Sequence, residues 1–200
     1  SVHVGARTGR SNLRLSTANA LLAVVILAGT PCLPGEEKKL DRLIVYGEGF
    51  AFGVKEPAGW KADTKNAATL DANILSYRPA ETIDTAIALI KIRIGSKVDE
   101  NTAGDLAADM DGYKSRYPDI QFRDLDVSHG KYRVFSKLFT VPDQFYEYVV
   151  YLNPGKQTTK LFSVSMNKEK LAATREELAA FSEIVGSVEL LSPDMERSVP

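Results

Sequence analysis

The chain has little of the side-chain chemistry on which most enzymes and metal sites depend. Among its 200 residues there is one cysteine, Cys32, and there are two histidines, His3 and His129. Zinc sites are built mainly from cysteine and histidine, and a Ser-His-Asp triad needs a histidine held between a serine and an acid. His129 precedes Gly130 in a turn pattern, and no Gly-x-Ser-x-Gly motif supplies a nucleophile. The sequence therefore predicts no catalytic residue, no metal and no cofactor.

Signatures of nucleotide and nucleic-acid binding are missing as well. The sequence has neither of the glycine-rich motifs that cradle phosphates in P-loop and dinucleotide-binding proteins. Its 25 basic and 26 acidic residues give a net charge of −1. A surface without an excess of positive charge does not gather a polyanion. We therefore expect no nucleic-acid partner.

No apolar run is long enough to cross a bilayer. The longest covers residues 20–29, and ten helical residues span only about 15 Å of a core about 30 Å thick. Three arginines and no acid precede it, and a Thr/Pro/Gly stretch follows, which is typical of a secretory signal. The alternative is a buried strand or helix of the domain. We interpret residues 1–39 as a signal-peptide-like leader and linker, and we expect an exported protein, periplasmic or extracellular.

Cys32 raises the question of a lipid anchor, because bacterial lipoproteins are cut just before a cysteine that follows an apolar run. Pro31 stands beside that cut and disfavours it. A lipid anchor at Cys32 is therefore the disfavoured alternative, and we expect no stable membrane span.

The remaining chain reads as strands interrupted by two helices, within a single domain over residues 40–191 and followed by a tail at 192–200. Alternating apolar residues predict strands at 43–46, 50–55, 73–78, 85–94, 121–128, 131–141, 144–152 and 160–166. Helical spacing predicts helices at 102–117 and from residue 174. Hairpin turns between neighbouring strands favour the α+β class, with one mostly antiparallel β-sheet sandwiched by helices.

Details of three elements can be read from their patterns. Ile87 and Leu89 predict that the strand at 85–94 is central and covered on both faces where it starts. The first helix has an apolar stripe at four- and three-residue spacing, formed by Leu106, Met110, Tyr113 and Tyr117, with Thr102 as its cap. The last has a capping-box spacing at Thr174 and Glu177 and a stripe formed by Leu178, Phe181, Val185 and Val188.

Carboxylates are the remaining candidates for chemistry. Asp124 and Asp126 would share one face of a strand, about 7 Å apart, and could hold a weakly bound divalent ion. The alternative is that both are solvated charges on an exposed face. A carboxylate-dependent metal-binding protein or hydrolase is therefore a rival function.

Aromatic residues form the other candidate site. Tyr146 and Tyr148 share one face of the strand at 144–152, and Tyr151 lies on the opposite face. These tyrosines and Trp60, the only tryptophan, could line a surface for a protein partner. The alternative is a central strand between packed layers, with Trp60 closing the edge of the sheet.

Two motifs resemble the opening of PsbP-like domains, in which a Gly-Phe strand leads to a Pro-x-x-Trp turn. They are Gly49-Phe50-Ala51-Phe52 and Pro57-Ala58-Gly59-Trp60, and the later elements follow the same order over residues 43–191. Val188 stands where the family has an aromatic residue in a closing Ser-Phe. The resemblance implies an α/β/α sandwich, shared with the Mog-type Ran-binding proteins, that serves as an interaction module.

These observations lead us to expect a non-enzymatic, exported binding or accessory protein that acts through an unidentified protein partner. Two alternatives remain: the carboxylate-dependent metal-binding protein or hydrolase, and an accessory subunit of photosystem II, which the family resemblance implies for a photosynthetic source.

Overall fold

The computed structural model describes residues 23–24, 42–47, 50–97 and 102–191. Over these residues the chain forms an α+β fold with two α-helices, in which neighbouring strands pair antiparallel. The predicted class and the mostly antiparallel pairing are therefore confirmed. Cys32, the tail at 192–200 and, apart from Ala23–Val24, the leader and linker at 1–39 lie outside the described residues, so those predictions stay untested. Ala23–Val24, within the apolar run at 20–29, pairs antiparallel with residues 45–46, as the alternative of a domain strand predicts.

The strands are β1 (Ala23–Val24), β2 (Arg42–Gly47), β3 (Phe50–Lys55), β4 (Lys61–Asp63), β5 (Ile74–Tyr77), β6 (Ala88–Ser96), β7 (Gln121–Arg123), β8 (Arg133–Val141), β9 (Phe145–Asn153), β10 (Lys160–Glu169) and β11 (Glu189–Leu190). The helices are α1 (Thr102–Arg116) and α2 (Arg175–Ser187). A short 3₁₀ turn, Ala67–Leu70, follows β4 in the stretch that the sequence pattern left unassigned.

Two sheets are present where the sequence pattern predicted one. The larger has the order β4-β5-β6-β10-β9-β8-β7, and the smaller has the order β1-β2-β3-β11. A tight turn separates them after β3: the Trp60 amide donates to the Pro57 carbonyl at 3.1 Å, and Gly59 adopts a left-handed φ of 76° that favours glycine. The turn redirects the chain, so β4 joins the other sheet.

Alternate residues of β10 show how the layers are arranged. Phe162, Val164 and Met166 lie in the main core, together with side chains of β3 and of α2. Ser163 and Ser165 point to the opposite face of the larger sheet, where α1 packs on β8 and β9. Neither helix of the described chain has the length and apolar character needed to cross a bilayer.

The strand predicted at 85–94 begins later than its pattern indicated. A turn occupies residues 82–85, with the Thr85 amide donating to the Thr82 carbonyl at 3.2 Å, so β6 starts only at Ala88. Ile87 is 67% exposed, which makes the predicted covering of both faces at this end wrong. The interior position of β6, between β5 and β10, is confirmed.

The helix predictions hold with two corrections. Leu106, Met110 and Tyr113 pack on the sheet as expected, but Thr102 is the first residue of α1, and its hydroxyl accepts a hydrogen bond from Asn153. The capping box at the start of α2 is present. Leu178, however, is 37% exposed, because the helix turns the neighbouring Glu177 inward instead.

Candidate functional site

The hairpin formed by β7 and β8 opens along part of its length. β8 pairs with β9 over all its residues, but it pairs with β7 only at residues 138–140. Residues 133–137, the edge stretch, therefore have a paired strand on one side only. Facing them, residues 124–128 show no backbone hydrogen bond to β8 within the described chain. Two side-chain contacts join them: Ser136 Oγ donates to the Leu125 carbonyl at 3.1 Å, and Lys137 Nζ contacts Asp124 at 2.5 Å.

An open cleft of about 450 Å³ lies between the edge stretch and α1. We call it the β8 cleft. Its lining residues are Ala103, Leu106, Ala107, Met110, Asp124, Val134, Phe135, Ser136 and Lys137. The small side chains on the α1 flank leave this space unfilled. The cleft therefore combines an apolar helix flank with a strand whose backbone is paired on one side only, by β9.

Two cationic side chains border the β8 cleft: Lys137 lines it, and Arg133 lies against the lining residue Phe135. Arg133 is exposed, and its guanidinium lies 4.8 Å from the centre of the Phe135 ring. Arg133, Phe135 and Lys137 alternate along β8, so they share the face that carries α1. The acid at the cleft itself is Asp124, which is already paired with Lys137.

The opposite flank of α1 is fixed to the sheet by tyrosine–carboxyl hydrogen bonds. The Tyr113 hydroxyl donates to Glu147 of β9, and the Tyr151 hydroxyl of β9 donates to Asp109 of α1. The two bonds cross the interface in opposite directions. With its side-chain amide oriented to satisfy both neighbours, Asn167 donates to Glu147 at 2.9 Å and accepts from Lys91 Nζ at 3.2 Å. This tyrosine–carboxyl network sets the position of α1, and with it the width of the β8 cleft.

Burial changes the proton affinity of the network. It raises the pKa of Glu147, and the positive charge of Lys91 and the hydrogen bond from Tyr113 oppose the rise without cancelling it. The pKa of Asp109 is raised in the same way against the hydrogen bond from Tyr151. Both tyrosines also have raised pKa values, so their hydroxyls stay protonated and act as donors. The arrangement serves to hold α1 in place, because the hydroxyl protons are already committed to the carboxyls.

We expect Glu147→Gln to make stability less dependent on pH. A carboxyl with a raised pKa in the fold favours folding while it is protonated, and that contribution is lost as pH rises through the folded pKa. Glutamine stays neutral and still accepts from Tyr113. Urea unfolding from pH 5 to 9 should therefore show wild-type stability falling relative to the variant, by on the order of 1 kcal/mol. Glu169→Gln, at an exposed position, should reproduce the wild-type profile. Parallel profiles for wild type and Glu147→Gln would contradict the expectation.

His129 is a turn residue in the structure. Its Nδ1 accepts hydrogen bonds from the amides of Lys131 and Tyr132, both at 3.0 Å. Nδ1 therefore carries no proton, and Nε2 donates to the Val188 carbonyl at 3.0 Å. The ring also stacks on Tyr132, with centroids 4.5 Å apart. Both ring nitrogens are therefore hydrogen-bonded. Nδ1 holds the turn together, and Nε2 connects the turn to the residue that follows α2.

The predicted aromatic surface does not come together as one exposed patch. Trp60, Tyr148 and Tyr151 are buried, and Tyr146 is half-buried. Tyr148 lies in the main core, and its hydroxyl accepts from the Ala173 amide at 2.9 Å. Tyr151 faces α1 on the other side of the sheet. Their positions match the alternative interpretation, a central strand packed between two layers.

Asp124 and Asp126 do not lie on a strand, because β7 ends at Arg123 and the hairpin opens there. The shared strand face that the sequence predicted for the two carboxylates is therefore wrong. Both residues are exposed, and Asp124 pairs with Lys137. In the described part of the chain, no three histidine, cysteine or acidic side chains come close enough to hold a metal ion.

Sequence reasoning missed the residues that matter most around α1. Glu147 stands alone as a charge within the otherwise apolar and aromatic run of β9, which is the signal of a buried, hydrogen-bonded acid. The sequence did not mark Phe135 as a site residue, because an aromatic residue on an alternating strand usually packs in the core.

Comparisons with known proteins suggest no family for the chain and no function for this site. No protein-family model matches the chain, and no curated protein is significantly similar to it.

Proposed function

We propose that this chain is a non-enzymatic, exported binding or accessory protein, a PsbP-like α/β/α sandwich that recognises another protein at the β8 cleft. The single observation that carries the proposal is the edge stretch, residues 133–137, whose backbone lacks a second strand partner beside an open apolar cleft. The edge of a sheet is a ready template for pairing with another chain.

The cleft has the composition of a recognition site. Its core is apolar, from Leu106, Met110 and Phe135, and its borders are charged, from Arg133 and Lys137. An apolar centre with a polar rim is the usual arrangement of protein interfaces. The tyrosine–carboxyl network supports the proposal by fixing α1 in place, since a rigid wall loses little conformational entropy on binding.

Export is the second part of the proposal. It is supported by the apolar run at 20–29, preceded by arginines and followed by a Thr/Pro/Gly stretch. The partner is therefore sought among periplasmic, surface or secreted proteins rather than among nucleic acids.

Site-specific cross-linking tests the proposal. A photoreactive phenylalanine analogue at position 135 should capture one reproducible protein in the exported fraction of the source cells, whereas the same analogue at Ser182, exposed on α2, should not. The captured protein is then purified and titrated with the chain. We expect Phe135→Lys to weaken this binding roughly tenfold or more, because loss of a central aromatic contact typically costs that much.

Two controls protect this test against misfolding and indirect effects. Ser182→Lys should bind like wild type. Ala107→Trp fills the cleft from an exposed helix position and should weaken binding without touching the core. Equal affinity of all four proteins, or equal cross-linking at positions 135 and 182, would refute the proposed function.

A further inference from the structure

The open part of the hairpin has the geometry of a strand-acceptor site. If the pairing of β7 with β8 continued beyond Arg123 and Leu138, Asp124 would lie opposite Lys137 and Leu125 opposite Ser136. The side chains of both pairs do meet, but the backbones do not pair. A segment that displaces the Leu125–Ser136 and Asp124–Lys137 contacts and brings its own backbone donors and acceptors could therefore pair with the five residues of the edge stretch, about 17 Å of strand.

The side chains of the edge stretch determine which side chains the guest segment can place opposite them. Residues directly opposite one another on paired strands share a face, so a guest strand places every second side chain beside Arg133, Phe135 and Lys137. Phe135 opens into the β8 cleft, where Leu106 and Met110 add apolar surface. A guest side chain opposite Phe135 is therefore apolar.

The two residues that flank Phe135 are cations. Arg133 is exposed and has no ion pair within the described chain. Lys137 is paired with Asp124, a carboxylate whose side chain is 89% exposed and which can turn to water when another acid arrives. Opposite charges directly across paired strands are favourable and like charges are unfavourable. Guest side chains opposite Arg133 and Lys137 are therefore acidic.

We propose that the β8 cleft accepts an extended peptide segment of the pattern acid-x-apolar-x-acid, which pairs with residues 133–137 as an added strand. The proposal rests on the proposed function and names the partner chemistry of the same site. The apolar side chain enters the cleft between α1 and Phe135, and the two carboxylates meet Arg133 and Lys137. Backbone hydrogen bonds supply affinity, and the side-chain pattern supplies specificity.

Designed peptides test the proposal directly. The acidic probe is the capped peptide Ser-Glu-Thr-Leu-Thr-Glu-Ser, and its basic counterpart has lysine in place of both glutamates. NMR titration of the full chain should show that the acidic peptide binds roughly fivefold or more tightly than the basic one. Amide shifts should concentrate at residues 133–137 and along the α1 flank that bears Ala103 and Ala107.

A charge exchange keeps the test independent of small losses of stability. Arg133→Glu with Lys137→Glu should reverse the preference, so that the basic peptide binds more tightly. Lys65→Glu with Lys156→Glu changes net charge by the same amount at exposed positions elsewhere, and it should retain the wild-type preference. An unchanged preference in the first double variant overturns the proposal.

N-methylation of the peptide backbone distinguishes strand pairing from electrostatic attraction between charged side chains. Two versions of the acidic peptide carry N-methyl groups on alternate amides, one set on each edge. One version should lose binding and the other should keep it, because a strand pairs along a single edge. Equal binding of both versions overturns strand pairing, as does occupation of the cleft by the apolar dye ANS without any binding of the acidic peptide. If the natural partner still depends on Phe135 while the peptides fail, the peptide pattern is wrong and the protein-binding function stands.

Discussion

Glu177→Gln should lower the free energy of unfolding by about 3 kcal/mol, and Lys168→Met should have a similar effect. Lys168 Nζ lies 2.8 Å from Glu177 Oε1, and the two side chains are only 4% and 5% exposed. Either substitution leaves the other charge buried without its counter-ion. Urea unfolding measures both losses. A loss below about 1 kcal/mol in either variant would show that the remaining charge reaches water.

The Lys168–Glu177 pair allows a double-mutant cycle. Lys168→Met combined with Glu177→Gln leaves no buried charge, and the glutamine still accepts from the Thr174 amide. The double variant should therefore recover most of the stability, because replacing a buried pair by neutral groups is often close to neutral. Glu183→Gln, exposed on the same helix, should change stability by less than about 0.5 kcal/mol.

The same pair has a pH dependence opposite to that of Glu147. Burial acts to raise the pKa of Glu177, but the hydrogen bonds from Lys168 and Thr174 and the charge of Lys168 outweigh it, and the pKa lies below its ordinary value of 4.5. A lowered pKa adds stability above that value, and the addition is lost as pH falls through the folded pKa. The difference between wild type and Glu177→Gln should therefore shrink in acid.

Glu177 also shows where sequence reasoning reaches its limit. The helical pattern of α2 predicts the element, its capping box and most of its buried face, because these depend on residues close together in the chain. It assigns Leu178 to the core on hydrophobicity alone. The structure turns Glu177 inward, because Lys168 on β10 provides a buried partner and the box fixes the helix start. The pattern of the helix cannot identify that partner, because Lys168 and Glu177 belong to different elements and meet only in the folded structure.

The division into two sheets could not be predicted from the sequence, because it too depends on contacts between different elements of the fold. Alternation predicted β2 and β3 as a hairpin, and they do pair. It could not tell which further strand would join them. One of the strands that join them, β11, pairs Glu189 with Gly53 across more than half the chain. Pairing partners at long sequence separation leave no local pattern, so order within a sheet is less predictable than the strands themselves.

The candidate site was the least predictable feature. Residues 124–128 keep an alternating pattern, with Leu125 and Val127 packed on the core, so the sequence predicted that the strand continued. The backbone nevertheless departs from β8 after Arg123. Whether two alternating segments pair depends on the separation that α1 and the core allow. The β8 cleft is a product of that packing, and no residue marks it in the sequence.

Phe162→Ala should lower the free energy of unfolding by about 3–5 kcal/mol. Phe162 is fully buried on β10, between Ile94 and Leu152 in register, and its ring packs edge-on against Phe52 of the smaller sheet. Alanine leaves a cavity where the two sheets meet. Phe162→Leu fills most of that space and should lose less than half as much. Urea unfolding followed by the fluorescence of Trp60, which lies in the same core, measures both.

The neighbouring residue provides the control for Phe162→Ala and connects it to function. Ser163 points to the opposite face of β10, so Ser163→Ala should change stability by no more than about 0.5 kcal/mol. The β8 cleft also lies on that opposite face, where Leu106 and Phe135 pack in a separate apolar cluster. Under conditions where Phe162→Ala remains folded, its affinity for the acidic peptide should therefore equal that of wild type. A matching loss of peptide affinity would mean that the two faces of the larger sheet are coupled, and that the cleft depends on the contact between the sheets.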